Sequence, residues 1–214
     1  FAEHMQRLAD HYTPLDLGEM VERARADDLP AGAVAVTFDD GYASVLHAAV
    51  PALRRHRVPA TCFVVSGAIG DRFAWDGETD GAARRGDDRP VDLDELRRLA
   101  DTVTVGAHTV THPSLRRLDA EQIDAEIGES KATLEALLDR PVDRFAYPFG
   151  QRPDIDRRVV AAARAAGFGL ACTAWDDAVG RRVDPWRVGR LWASDTSADA
   201  LDARLRRWLG RRAR

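Results

Sequence analysis

The chain has 214 residues, with 31 Lys and Arg against 35 Asp and Glu, for a formal charge of −4. No overall basic character therefore points to nucleic acid, and no apolar run approaches the roughly 20 residues that would span a bilayer. That length can form one sizeable core, and an α/β barrel can use it as a single domain.

The elements expected in chain order begin with a helix over residues 5–28, where Leu15, Leu17, Met20 and Val21 are apolar among Arg, Glu and Asp. A strand at 33–38 and a helix around 43–56 (Val45, Leu46, Ala49, Leu53) follow, then Val58-Pro59 leads into a strand at 60–65. Residues 70–90 are rich in Gly, Asp and Arg and read as a surface loop. Next come a helix at 93–100, a strand at 102–106, and a long helix over about 119–138 carrying Ile123, Ile127, Leu134, Leu137 and Leu138 near helical spacing. A short strand at 143–147 precedes a helix at 154–166 that stops at Gly167. The pattern closes with a strand at 168–173, a second strand at 187–193 and an amphipathic helix at 197–209. Strands alternate with helices from residue 33 onward, which predicts a parallel β/α architecture. Cys62 and Cys172 sit in apolar, strand-like stretches without the spacing of a structural zinc site and read as reduced core thiols. The Arg-rich end, with Arg204, Arg206, Arg207, Arg211, Arg212 and Arg214, reads as the solvated face of a terminal helix.

Two strings carry the chemistry. Thr37-Phe38-Asp39-Asp40-Gly41-Tyr42 follows the run Ala33-Val34-Ala35-Val36, and His108-Thr109-Val110-Thr111-His112-Pro113 follows Val103-Thr104-Val105. Strands deliver polar side chains to one end of a sheet or barrel in this way. Asp-Gly alone is a turn dipeptide, and a histidine in a loop is more often structural than functional. Yet adjacent carboxylates repel unless a cation sits with one of them or one stays protonated. A cation on Asp40 would leave Asp39 free as a base. His108 and His112 have the i, i+4 spacing of helical zinc proteases, but Thr109 stands where those place Glu. Pro113 and the β-branched run before it favour a strand end and turn. Two histidines and a carboxylate form a normal catalytic zinc set, and an ion there lowers the pKa of a water to about 7. A third string, Phe145-Ala146-Tyr147-Pro148-Phe149-Gly150, reads as an aromatic strand ending in a turn. The main-chain N–H of Phe149 could face the site and stabilise an oxyanion.

In this order and at these intervals, the three strings resemble the polysaccharide deacetylase family, also called the NodB-homology domain. The resemblance covers nearly the whole chain. It implies a distorted (β/α) barrel that removes N-acetyl groups from amino sugars, or O-acetyl groups from xylan in some branches. By position, Asp39 matches the general base, and Asp40, His108 and His112 match the ligands of a divalent metal, most commonly Zn2+. Tyr42 and the Tyr147-Pro148-Phe149-Gly150 turn fall among the oxyanion and substrate-binding positions. The implied partner is an acetylated amino-sugar polymer or oligosaccharide, and the implied location is the cell envelope or exterior. Membrane association and oligomeric state are left open.

Two departures from the family pattern carry expectations of their own. Many members have Arg in the third motif to orient the base, where this chain has Ala146, and Phe149 replaces Tyr. This form resembles the branch acting on poly-N-acetylglucosamine, in which a later Arg supplies the charge; Arg190 is the candidate. Many members also place a general-acid His near the C-terminus, and no His follows His112. The YPFG branch often carries that His on an upstream strand. Because the chain begins at Phe1, the expectation is a domain over 1–214 lacking its first N-terminal strand and the acid on it. His4, His11, His47 and His56 read as helix residues without a catalytic role. The alternatives are an O-acetyl esterase of the same fold and a non-catalytic sugar-binding relative.

Overall fold

A computed structural model describes residues 1–71, 89–193 and 196–210. The expected 70–90 loop therefore lies almost wholly outside the described residues, as do Arg211, Arg212 and Arg214.

Five parallel strands form the main sheet in the order β3-β4-β5-β6-β7: Val36–Phe38, Ala60–Val64, Thr104–Ala107, Arg144–Ala146 and Leu170–Cys172. A separate two-stranded sheet pairs β1 (Thr13–Pro14) in parallel with β2 (Ala33–Val34), which lies immediately before β3 in the chain. Beyond β7, Val188 bridges Cys172 in parallel. Helices connect the staves: α1 (Ala2–His11), α2 (Leu17–Arg25), α3 (Val50–His56, entered through a π-helical turn at Val45–Ala49), α4 (Leu93–Ala100), α5 (Ala120–Leu138), α6 (Arg157–Ala165) and α7 (Ala198–Gly210). The arrangement is the parallel β/α architecture anticipated from the strand–helix alternation, in the distorted barrel form that the family resemblance implies.

Three expected elements differ. The strand at 33–38 is two, β2 and β3, in separate sheets. The helix over 5–28 is two helices, because Pro14 cannot continue one and the Asp16 carboxylate caps a new start at the N–H groups of Gly18 and Glu19. The strand at 187–193 shrinks to the single bridge at Val188. There the chain turns its Arg190 side chain toward the barrel instead of continuing a ladder.

Period-two alternation sorts the strand residues into two cores. Ala60, Cys62, Val64, Val105, Ala107, Phe145 and Ala171 point outward and pack with Leu53, Leu96, Leu99, Ile123, Ile127 and Leu134 of the surrounding helices. Phe63, Ala146, Leu170 and Cys172 belong to a separate interior cluster with Leu15, Leu17 and Met20. Both cysteines are buried free thiols. Gly106 faces the Phe63 ring: a Cβ there would lie 2.5 Å from it, so the ring fills space that a side chain on β5 would need. Toward the N-terminal ends of the strands, Arg144 donates to both Asp16 carboxylate oxygens at 2.6 and 2.8 Å and to Thr61 Oγ1 at 3.0 Å. This pair closes the end of the barrel remote from Asp39 and His108.

Candidate active site

The site residues stand at the C-terminal ends of β3, β5 and β6 and on the segment after β7, where loops of a parallel barrel converge. From Thr37 on β3, one further pair of residues along the strand direction brings Asp39 to the same interior face. His108 follows β5 directly and is 2% exposed. Its Nδ1 lies 2.7 Å from the Ala146 carbonyl, which requires Nδ1 to carry the proton and leaves the Nε2 lone pair facing the site. The two rings, His108 and His112, sit edge to face with centroids 4.9 Å apart. Asp40 Oδ1 is 3.5 Å from His108 Nε2 and 3.6 Å from His112 Nε2.

These three residues could hold a metal ion. Their donor atoms lie within 4.8 Å of one another. Tetrahedral bonds of 2.0–2.1 Å, typical of zinc with imidazole and carboxylate ligands, would separate neighbouring donors by about 3.3 Å, close to the two carboxylate–imidazole distances. The donor set fits as well: burial, then the neighbouring His108, lowers the pKa of His112 to about 4, so the imidazole is neutral and its lone pair available.

Beside this set, Asp39 meets Arg190 in a two-pronged ion pair, Nη1 to Oδ1 at 2.7 Å and Nη2 to Oδ2 at 2.8 Å. Arg190 also donates to Thr37 Oγ1 at 3.2 Å and, through Nε, to the Thr173 carbonyl at 2.9 Å. Its guanidinium carbon lies 5.6 Å from the centre of the Phe63 ring. Arg190 thus spans from the end of β7 to β3, across the seam of the barrel. Burial acts to raise the Asp39 carboxyl, but Arg190 and His108 outweigh it and hold the group below its ordinary value.

The remaining sequence candidates divide. Phe149 is exposed, with its ring 4.9 Å from that of His112. Tyr147 is buried; its hydroxyl donates to the Trp186 carbonyl at 3.0 Å and its ring packs edge to face on Phe145, so the side chain belongs to the outer core. Pro148 is buried, and Gly150 turns the chain at φ 65° with its carbonyl accepting the Ala174 N–H. Tyr42 packs toward Val65 and Ala68 and pairs with Pro90 rather than lining the cavity that holds Asp40, His108 and His112.

One residue escaped the sequence reading. Glu126, on α5, accepts the N–H groups of Val110 and Thr111, both at 2.9 Å, and the Thr111 hydroxyl at 2.6 Å. Together with Thr109 Oγ1, which accepts the His112 N–H at 2.9 Å, it fixes the loop that carries His112. Nothing separates Glu126 in sequence from the other acids of this helix; its place opposite the loop that carries His112 is visible only in three dimensions. The backbone here is unusual too. Asp40, Thr109, His112 and Phe149 have φ values of 72°, 66°, 59° and 61°, in the left-handed region that non-glycine residues seldom occupy. Such residues gather at functional sites.

Comparison with known proteins is consistent with this geometry. Poly-beta-1,6-N-acetyl-D-glucosamine N-deacetylase of Staphylococcus aureus (strain MSSA476) is 22% identical over 206 residues, which cover 92% of this chain and 65% of that protein. The Bacillus subtilis (strain 168) protein YxkH is 24% identical over 197 residues, or 91% of this chain and 64% of its own length. The chain therefore spans less than two thirds of these curated relatives. Among solved structures, IcaB from Ammonifex degensii superposes with a TM-score of 0.78 at 23% identity, covering 95% of this chain and 87% of that one. The Streptococcus pyogenes deacetylase PplD, solved with acetate, gives 0.77 at 21% identity, covering 94% and 84%. The family model for polysaccharide deacetylases matches residues 26–171, more than half of the chain and all three site motifs, and the chain belongs to that family.

Proposed function

We propose that this chain is a metal-dependent carbohydrate deacetylase that removes N-acetyl groups from a GlcNAc-containing polymer or glycan and releases acetate. The observation that carries the reading is the juxtaposition of two chemically distinct groups in one open cavity: the Asp40, His108 and His112 donors, and the Asp39–Arg190 pair beside them. The activity of the Staphylococcus aureus relative supports a poly-β-1,6-N-acetylglucosamine substrate.

A divalent ion on Asp40, His108 and His112, for which zinc suits the nitrogen and oxygen donors, would polarise the acetyl carbonyl and acidify a water molecule. Asp39 is the general base. Held ionised by Arg190, it accepts a proton from the attacking water while that oxygen bonds to the acetyl carbon. The guanidinium's two-pronged grip fixes which carboxylate face is presented. The Phe149 N–H, on a left-handed residue next to His112, donates to the oxyanion that develops. Collapse breaks the C–N bond, and the amine leaves with the proton that Asp39 took from the water as acetate forms. His108, locked by the Ala146 carbonyl, keeps its Nε2 turned toward Asp40, where the ion would be held.

The test is acetate release from β-1,6- and β-1,4-linked N-acetylglucosamine oligomers by zinc-supplemented protein, with Asp39→Asn and a chelator as controls. Release that both controls abolish is expected. Release from acetylated xylan and from none of the amino sugars would overturn the N-deacetylase reading in favour of an O-acetyl esterase. Oligomer binding without any release would indicate a sugar-binding relative.

A further inference from the structure

The exposed large apolar side chains among the described residues are Phe1, Phe149 and Trp192, and all three line the cavity, of about 1250 Å3, that holds Asp39, Asp40, His108 and His112. Isolated surface hydrophobics normally scatter. Here they converge on one opening. Trp192 is the most open of them at 78% exposure, an arrangement that gains nothing for folding.

Its backbone is nevertheless held. The Trp192 carbonyl accepts Arg204 Nη2 from α7 at 2.8 Å, and two residues earlier Arg190 is pinned to Asp39. Two residues of chain reach at most about 7 Å, so the Trp192 backbone is tethered close to that of Arg190 while its side chain lines the cavity that holds Asp39. A flat, rigid ring with a negative face suits the C–H face of a pyranose, while Gln151 and Arg181 line the same cavity and can meet sugar hydroxyls.

We propose that Trp192 is a stacking platform for the pyranose ring next to the one being deacetylated, which makes the site selective for chains over single amino sugars. This rests on the carbohydrate reading above. It adds a specificity-determining residue on the segment that also carries the charge partner of Asp39.

The test compares wild type, Trp192→Ala and Trp192→Phe, all zinc-loaded, on N-acetylglucosamine oligomers of two to six units in β-1,6 and β-1,4 linkage. KM for acetate release is read together with the quench of intrinsic tryptophan fluorescence on titration. In wild type KM should fall with oligomer length. Trp192→Ala should raise KM about tenfold for the longer oligomers, flatten the length dependence and remove part of the quench, and Trp192→Phe should recover most of the loss. Equal KM values for wild type and Trp192→Ala at every length would overturn the platform and leave the deacetylase reading intact. A concentration-dependent dimer that Trp192→Ala abolishes would also overturn it, by giving this face to a second copy of the chain. Failure of wild type to release acetate from any oligomer, while it still hydrolyses p-nitrophenyl acetate, would instead bring down the amino-sugar reading and the platform with it.

Discussion

Replacing Arg190 with Met keeps much of the side-chain volume and removes the charge that faces Asp39. In the native protein the guanidinium makes two short bonds to that carboxylate and one each to Thr37 and Thr173. Removing one partner of a buried ion pair costs about 3–5 kcal/mol, because the other charge is left stranded. The Asp39 side chain is 33% exposed, so water and salt recover part of this, and about 2–3 kcal/mol is expected. For a chain of this size that lowers Tm by roughly 4–12 °C. Calorimetry measures the loss, and acetate release well below the variant's Tm measures the effect on chemistry, expected to be at least about tenfold if Arg190 orients the base. Arg190→Lys should restore charge without the fork and fall between the two. A Tm within a degree of wild type would refute the energetic argument. A destabilised variant with wild-type turnover would reduce Arg190 to a brace across the barrel seam.

Asp40→Ala and His112→Ala should each lose one-to-one retention of zinc after desalting, measured by metal analysis, since two donors hold the ion far less well than three. Glu126→Ala frees the loop that carries His112 and should weaken zinc about 10- to 100-fold by competition titration, with a far smaller effect on apo stability. Gly106→Ala drives a methyl into the Phe63 ring and should cost about 1–3 kcal/mol in urea unfolding; adding Phe63→Leu should return most of it. Glu95 accepts two bonds from Arg89 at 2.7 Å and one from His47 at 2.9 Å, and Arg89 above all holds its carboxyl down at about 2. Because the folded value lies below the unfolded one, this stability is present above pH 4.5 and is lost as pH falls from there toward 2. With Arg89 partly exposed, Glu95→Gln should cost roughly 2 kcal/mol at pH 7, and urea titrations should show the difference shrinking below pH 4.5.

The helices were legible where their first turns announce themselves. Asp92 with Glu95 and Asp119 with Gln122 form capping boxes, and α4 and α5 begin where those pairs say. The break at Pro14 and Asp16 was missed, because the charged sequence on either side reads as one helix that runs through it. At 187–193 the apolar residues Val188, Leu191 and Trp192 suggested a strand. Tertiary demand on Arg190 overrode that pattern. The Asp40, His108 and His112 set could be read because its members come in short strings at strand ends. Arg190 could be named as a candidate among many arginines, yet its partner became definite only through the 2.7 and 2.8 Å contacts. Glu126 left no trace, since an acid on the polar face of a charged helix looks like solubility until the loop opposite it is placed.

The left-handed backbone at Asp40, Thr109, His112 and Phe149 also shapes what selection can do with this chain. Each such residue stores on the order of 1–3 kcal/mol that glycine would relieve. Random mutagenesis ranked by thermal tolerance alone would therefore tend to reward Gly at these four positions, and each gain would dissolve a piece of the active centre. Any effort to harden the barrel for use at high temperature should hold these codons constant and look for its gains in the outer helices, where robustness and activity are not in competition.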